Sequence, residues 1–227
     1  SDGGYHRAGG PKRRSELEVL QSQINPHFLY NTLDSVIWMT ESGRQEEAIQ
    51  MVTSLARLFR IALSRGNSMI PLADELEHAR HYMTIQQIRY KNKFETKITA
   101  QPCTEGLYTL KLNVQPILEN AIYHGMASAE DDGLISVTAY RQGDDLIIDV
   151  ADNGLGMRPE VAASLLDENR PDVRTSGSGI GVRNVHQRIR LTFGPQYGLT
   201  ILSEPDEGTL VRIRIPAVQE DEAGRYH

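Results

Sequence analysis

The chain has 227 residues and carries 24 Lys and Arg against 30 Asp and Glu, a formal charge of −6. That length allows one large domain or two small ones of ~100–200 residues, and the acidic balance argues against a nucleic-acid partner held through its phosphates. A single cysteine, Cys103, excludes an intrachain disulfide and fits a reducing compartment, and no run approaches the ~18 apolar residues of a membrane span.

The opening Ser1-Asp-Gly-Gly lacks the apolar h-region of a signal peptide, so the chain reads as a soluble piece of a longer protein. Residues 1–14, rich in Gly and basic side chains, predict a flexible lead-in. Its Lys12, Arg13 and Arg14 fit either a segment near a membrane surface or a solvated linker. From Ser15 the pattern changes: Leu17, Leu20, Ile24, Phe28, Leu33, Val36 and Ile37 recur mostly at three- and four-residue steps, the period of one helical face. Ser15 is a suitable N-cap, Glu16 and Glu18 suit the positive end of the helix dipole, and Pro26 predicts a kink near residues 22–26. Ala48, Val52, Leu55, Leu58, Phe59 and Ala62 predict a second helix that stops at Arg65-Gly66-Asn67, and Pro71 opens a third that runs to about Tyr90. Residues 15–90 are therefore expected to be nearly all helix.

Past Lys91 the texture becomes mixed. Strands are predicted over 94–99, 134–140, 146–151, 197–203 and 209–215, and helices over 112–124, 159–166 and 182–193. Pro216 and an acidic tail, residues 218–227, close the chain.

Three blocks in this second part carry Gly and Asn at informative places: Leu118-Glu-Asn-Ala-Ile-Tyr-His-Gly125, Asp152-Asn-Gly-Leu-Gly156 and Gly177-Ser-Gly-Ile-Gly181. Asp-Asn-Gly alone is an ordinary turn after a strand. A Gly-x-Gly-x-Gly that opens a helix suits an anion, because glycine lets backbone amides approach it at a helix N-terminus. It is neither the dinucleotide Gly-x-Gly-x-x-Gly fingerprint nor a P-loop, since no Gly-Lys-Ser/Thr follows.

In this order the blocks resemble the asparagine box and two glycine boxes of the GHKL (Bergerat) ATP-binding domain, shared by histidine kinases, type II topoisomerases, ATP-dependent heat-shock chaperones and MutL proteins. The resemblance covers residues 92–217, and Gly208-Thr209 looks like that domain's last motif. It implies ATP with Mg²⁺. Asn120 would be the Mg²⁺ ligand, Asp152 would accept from the adenine amino group, and Gly154 and Gly156 would let the chain pass close to the base. Thr209 would hold an adenine-side water, while Gly177, Gly179 and Gly181 would form a lid over the phosphates. One amide oxygen together with phosphates and retained waters suits a hard cation.

In the helical part, Asn25-Pro-His-Phe-Leu-Tyr-Asn31 resembles the phosphoacceptor block of sensor histidine kinases of the LytS/YesM type, and Gly179-Ile-Gly-Val-Arg-Asn-Val185 looks like the same subfamily. The likeness implies ATP-dependent phosphorylation of His27 and transfer to an aspartate on a response regulator receiver domain. It also implies a homodimer that forms the cytoplasmic portion of a membrane receptor, meeting the membrane only through segments absent from this chain. An imidazole with an ordinary pKa near ~6.5 is mostly neutral and nucleophilic at pH 7. Asn31, four residues on, shares the helical face and either orients the His27 ring or is an exposed polar residue.

Departures from the wider pattern sharpen this reading. Phe28 stands where most histidine kinases carry an acid after the phosphoacceptor, which leaves Glu119 as the candidate general base or as a structural carboxylate. Pro116 stands where hydrolysing relatives carry their water-activating acid, which tilts the chemistry from hydrolysis to transfer. Tyr123 stands where a phosphate-touching Lys or Arg is common; His124 either substitutes for it or simply packs. His78 and His81 have helical metal-ligand spacing but no convincing third ligand, and read as a solvated helix face.

The expected fold is α+β: a lead-in (1–14), a helical dimerisation and phosphoacceptor hairpin (15–90), a two-layer α/β ATP-binding sandwich (91–217) and a tail. A nucleotide-binding dimeric scaffold without phosphotransfer is the alternative. An anti-sigma type Ser/Thr kinase shares the ATP domain but would lack the block at residues 23–31.

Overall fold

Asn25 is extended, with ψ 112°, and its side-chain oxygen accepts from the His27 amide at 3.0 Å, so it caps the helix α1 that begins at Pro26 (Pro26–Glu41). The computed structural model describes residues 25–63, 68–111, 113–126, 132–167, 169 and 180–226. The lead-in, the Ser15 cap, the helical run before Asn25, the stop at Arg65–Asn67 and the glycines Gly177 and Gly179 lie outside the described residues. Pro26 is not a kink inside α1 but its first residue, where a proline's missing donor and fixed φ suit the helix. Phe28, Thr32 and Met39 form the buried stripe of α1. The helix ends at Ser42-Gly43, with Gly43 at φ +78° and the Arg44 amide returning to the Met39 carbonyl at 2.8 Å. Helix α2 (Gln45–Ala62) follows, with Glu46 and Glu47 in its first turn and Arg60 in its last, in keeping with the helix dipole.

The chain divides into two compact units, Ser1–Thr53 and Ser54–His227. In the second, strand β1 (Met69–Pro71) leads into helix α3 (Leu72–Arg89). A turn through Lys91 and Asn92, both with positive φ, reverses the chain into β2 (Phe94–Ala100). After a 3₁₀ turn (Pro102–Thr104) and β3 (Tyr108–Leu110) comes helix α4 (Val114–Asn120), continued as a π-helical segment (Ala121–Met126). Strands β4 (Gly133–Gln142) and β5 (Asp145–Asp152), helices α5 (Pro159–Ser164) and α6 (Ile180–Phe193), strands β6 (Gly198–Glu204) and β7 (Gly208–Pro216) and a short helix α7 (Glu220–Ala223) complete the unit.

The main sheet has the order β2-β4-β5-β7-β6, parallel between β2 and β4 and antiparallel elsewhere. Alternation decides its two faces. Ile135, Val137, Ala139, Ile148, Val150, Val211, Ile213 and Leu199 are buried on the face that carries α4 and α6. The opposite face holds a ladder of polar pairs: Arg212 donates twice to Asp149 at 2.9 and 3.1 Å, the Tyr140 hydroxyl donates to Asp149 at 3.0 Å, and Arg214 pairs with Asp145 at 2.7 Å. A sheet with one apolar and one charged face needs helices on one side only, which is why the unit has two layers.

Two features were not foreseen. β1 and β3 pair as a separate two-stranded sheet, and the acidic tail is tied to it through a bridge from Val218 to Tyr108. Helix α3, read from sequence as part of the helical region, packs on the sheet unit: the Gln87 side chain donates to the Phe94 carbonyl at 3.2 Å, and Glu75 accepts from the Val114 amide at 3.1 Å. His78 on this helix is buried rather than on a solvated face, while its neighbour His81 pairs with Glu77 at 2.9 Å.

Candidate functional site

A pocket of about 360 Å³ opens between the α4–π segment and the ends of β5 and β7. Its lining is Ile117, Asn120, Ala121, His124 and Gly125 from above, and Val150, Asp152, Gly156, Met157, Thr209 and Val211 from the sheet side. Helical spacing gathers Ile117, Asn120, Ala121 and His124 on one face, while strand alternation places Val150 beside Asp152 and Thr209 beside Val211. Asp152 and Thr209 are direct cross-strand partners, which fixes their separation by the ladder itself. The π-helical turn is a rare geometry that tends to occur at functional sites, and here it carries His124 and Gly125.

Asp152 is the one carboxylate among these lining residues. Burial pushes its pKa up, and amide donors from Gly154 and Thr209 act against that, the Gly154 amide reaching Oδ1 at 2.9 Å. The next residue, Asn153, has a scaffolding role. Its side chain accepts from the Leu134 amide at 2.7 Å and donates to the Asp132 carbonyl at 3.0 Å, pinning the start of β4 beside the turn. Gly154 is required by contact, because a Cβ there would lie 2.4 Å from both the Cα and the carbonyl oxygen of Gly125. Gly156 has φ +66°, and a Cβ on it would sit 1.9 Å from the Glu204 carbonyl oxygen. These two glycines let the loop after β5 run flush against its neighbours and leave the pocket open.

The Asn120 side-chain oxygen is buried and has no hydrogen-bond partner. A buried amide oxygen without a donor is a standing free-energy penalty unless something occupies it. A hard divalent cation, which prefers neutral and anionic oxygens, fits that vacant acceptor.

The sequence-derived candidates fall as follows. Asn120, His124, Asp152, Gly156 and Thr209 line one pocket, and Gly154 shapes it through Gly125. Gly181 opens α6 next to Pro116, whose Cβ would be 3.1 Å from a Cβ at 181. Glu119 does not line the pocket; its charge acts instead on Tyr82 of α3, whose hydroxyl pKa is pushed up by burial first and by Glu119 second. His27 and Asn31 are exposed on α1 in the first unit. Sequence reading missed Met157, Val150 and Val211 as lining residues, though period-two spacing from Asp152 and Thr209 points to the two valines. It also missed Gly125, which ends the first block and touches Gly154.

Comparison with known proteins decides the family. Residues 15–94 match the histidine kinase family, and residues 108–219 match the histidine kinase-, DNA gyrase B- and HSP90-like ATPases. The chain belongs to the histidine kinase family. Among its relatives, the sensor histidine kinase YesM of Bacillus subtilis is 36% identical over 92% of this chain and 34% of its own length. The sensor histidine kinase BtsS of Escherichia coli is 32% identical over 94% of this chain and 36% of its own length. The chain therefore spans about a third of the length of these curated relatives. The histidine kinase domain of a blue-light activated kinase from Erythrobacter litoralis shares the α+β fold, with a TM-score of 0.51 at 19% identity, covering 93% of this chain and 96% of that one. Among the described residues, no helix is long and apolar enough to cross a membrane.

Proposed function

We propose that this chain is the catalytic portion of a sensor histidine kinase, which transfers the γ-phosphoryl group of ATP to His27 and then to an aspartate of a response regulator receiver domain. The observation that carries the nucleotide half is the pocket whose lining joins Asn120, whose side-chain oxygen is buried without a hydrogen-bond partner, to the amide-held carboxylate of Asp152. Asp152 binds an exocyclic amine of the base, and Gly154 and Gly156 keep backbone clear of it. Asn120 is the residue that would hold Mg²⁺, which when bound neutralises the triphosphate. Phosphoryl transfer depends on positioning and charge neutralisation more than on covalent help from the protein. In the transfer a His27 ring nitrogen bonds to the γ-phosphorus, the bond from phosphorus to the β–γ bridging oxygen breaks, and ADP leaves with that electron pair. His27 occupies the first turn of α1, immediately after Pro26, and a phosphoryl group there meets the positive end of the helix. The receptor reading, with a homodimer as the working state and sensing segments in the rest of the protein, is supported by the relatives being about three times longer.

Incubation with γ-labelled ATP and Mg²⁺ tests this. The expected product is an acid-labile, alkali-stable label that His27→Gln abolishes while the ATP dissociation constant stays unchanged. Label that survives in the variant moves the phosphoacceptor to another of the seven histidines. Nucleotide binding with no label at all favours the non-transferring scaffold. That reading draws on Phe28, buried directly after His27, and on Glu119, which lies off the pocket lining.

A further inference from the structure

The Ser203 hydroxyl on β6 lies behind the pocket, not in its lining, and has three polar neighbours. The Met157 amide donates to Ser203 Oγ at 2.8 Å, Ser203 Oγ donates to the Gly208 carbonyl at 3.0 Å, and Thr209 Oγ1 stands 2.8 Å from Ser203 Oγ. A serine hydroxyl has one proton and two lone pairs. With that proton on the Gly208 carbonyl, both lone pairs accept, one from Met157 and the other from Thr209. The Thr209 proton is thereby turned away from the pocket that Thr209 lines, and only its lone pairs remain for a ligand. Ser203 and Thr209 are cross-strand partners on the inner face of the sheet, so this geometry is held by the β6–β7 ladder.

We propose that Ser203 is a positioning residue for base selectivity: it holds the Thr209 hydroxyl as an acceptor, so that the pocket selects 6-amino purines over 6-oxo purines. This rests on the reading of the pocket as an ATP site. Beside Thr209, the Asp152 carboxylate receives amide protons from the protein and is itself acceptor-only when ionised. A base with a donor at position 6 satisfies both groups. A 6-oxo base brings a third acceptor to two others and leaves buried lone pairs facing one another, which is strongly disfavoured. Removing the Ser203 hydroxyl frees the Thr209 proton to rotate into the pocket and donate to a 6-oxo group.

The test is equilibrium binding of ATP and of inosine triphosphate, each with Mg²⁺, to the 227-residue chain. Inosine triphosphate differs from ATP at the 6-position and the adjacent ring nitrogen and lacks the 2-amino group of guanine. Wild type is expected to prefer ATP. Ser203→Ala is expected to lower the ratio of the two affinities by on the order of tenfold, the worth of one neutral hydrogen bond. Ser203→Thr, which keeps a hydroxyl, retains the wild-type ratio. Thr209→Val loses the same selectivity, and adding Ser203→Ala to it produces no further change, since the two act as one unit. Equal weakening of both nucleotides by Ser203→Ala, or an undiminished ratio in Thr209→Val, overturns the inference and leaves the ATP site standing. Wild type that binds neither nucleotide overturns the ATP site and the inference with it.

Discussion

His78 is 1% exposed, and its Nε2 has no hydrogen-bond partner. Burial first, then the charges of His81 and Lys111, lower its pKa from 6.5 to about 4. In the unfolded chain the same imidazole titrates near its ordinary value. Between about pH 6.5 and 4 the unfolded state therefore binds the extra proton, and stability rises with pH across that window. Acidification from 7 to 4.5 is expected to withdraw roughly 2–3 kcal/mol through this residue. His78→Leu removes both the proton site and the partnerless ring nitrogen, so it is expected to be neutral or stabilising at pH 7.5 and to flatten the acid side of the stability profile. Urea unfolding at a series of pH values checks this; a variant whose profile still parallels wild type assigns the acid sensitivity to other groups. The sequence marked His78 and His81 by their spacing, but spacing could not tell which of the two faced the sheet unit. Only the packing of α3 separates a buried, uncharged His78 from a His81 paired with Glu77.

Elements with long periodic patterns were legible: the five strands of the main sheet and helices α2, α3 and α6 lie where alternation or helical spacing put them, to within a few residues. The three-residue strands β1 and β3 are too short to show a period, and they exist because the Leu72 amide and the Lys111 amide find carbonyls across the pair, Leu107 at 2.8 Å and Ser68 at 2.9 Å. The π-helical turn at Ala121–Met126 has no composition signal either. Equally hidden was a junction that ties three helices together. Glu75 of α3, 1% exposed, accepts from the first amide of α4. Arg188 of α6 donates to the Asn113 side chain at 2.8 Å and to the Lys111 carbonyl at 3.0 Å, just before α4 begins. Helix α4 carries Asn120, so the junction ties the helical side of the pocket to α3 and α6. Glu75→Ala strands a buried amide and is expected to lose roughly 1–3 kcal/mol, whereas Glu75→Gln keeps an oxygen acceptor and recovers part of it. Arg188→Ala is expected to fall in the same range. Urea midpoints measure all three, and identical midpoints for Glu75→Ala and Glu75→Gln would remove the capping role.

At the scale of the whole molecule, the apolar surface of the first unit asks for a partner. By periodicity alone, Leu20, Ile24, Leu55 and Leu58 are the residues that a four-helix dimer would bury centrally. Leu20 and Ile24 lie outside the described residues, and Leu55 and Leu58 are already 6% and 3% exposed in the single chain, so they have little surface left to bury between chains. The residues that remain open are others. Tyr30, Leu33 and Ile37 follow one another at three- and four-residue steps on α1, with Trp38 beside them, and Ile49 and Val52 are open on α2. Ile37 is 56% and Ile49 65% exposed, more than a water-facing helix needs to leave uncovered. A two-fold pairing uses one such stripe twice and needs no other surface. We expect light scattering at micromolar concentration to give twice the chain mass, falling to the single-chain mass in Ile37→Glu. Because Ile37 is open in the single chain, the substitution should leave helicity and nucleotide affinity unchanged, which separates loss of the partner from loss of the fold. A dimer that withstands both Ile37→Glu and Ile49→Glu places its interface away from these helix faces.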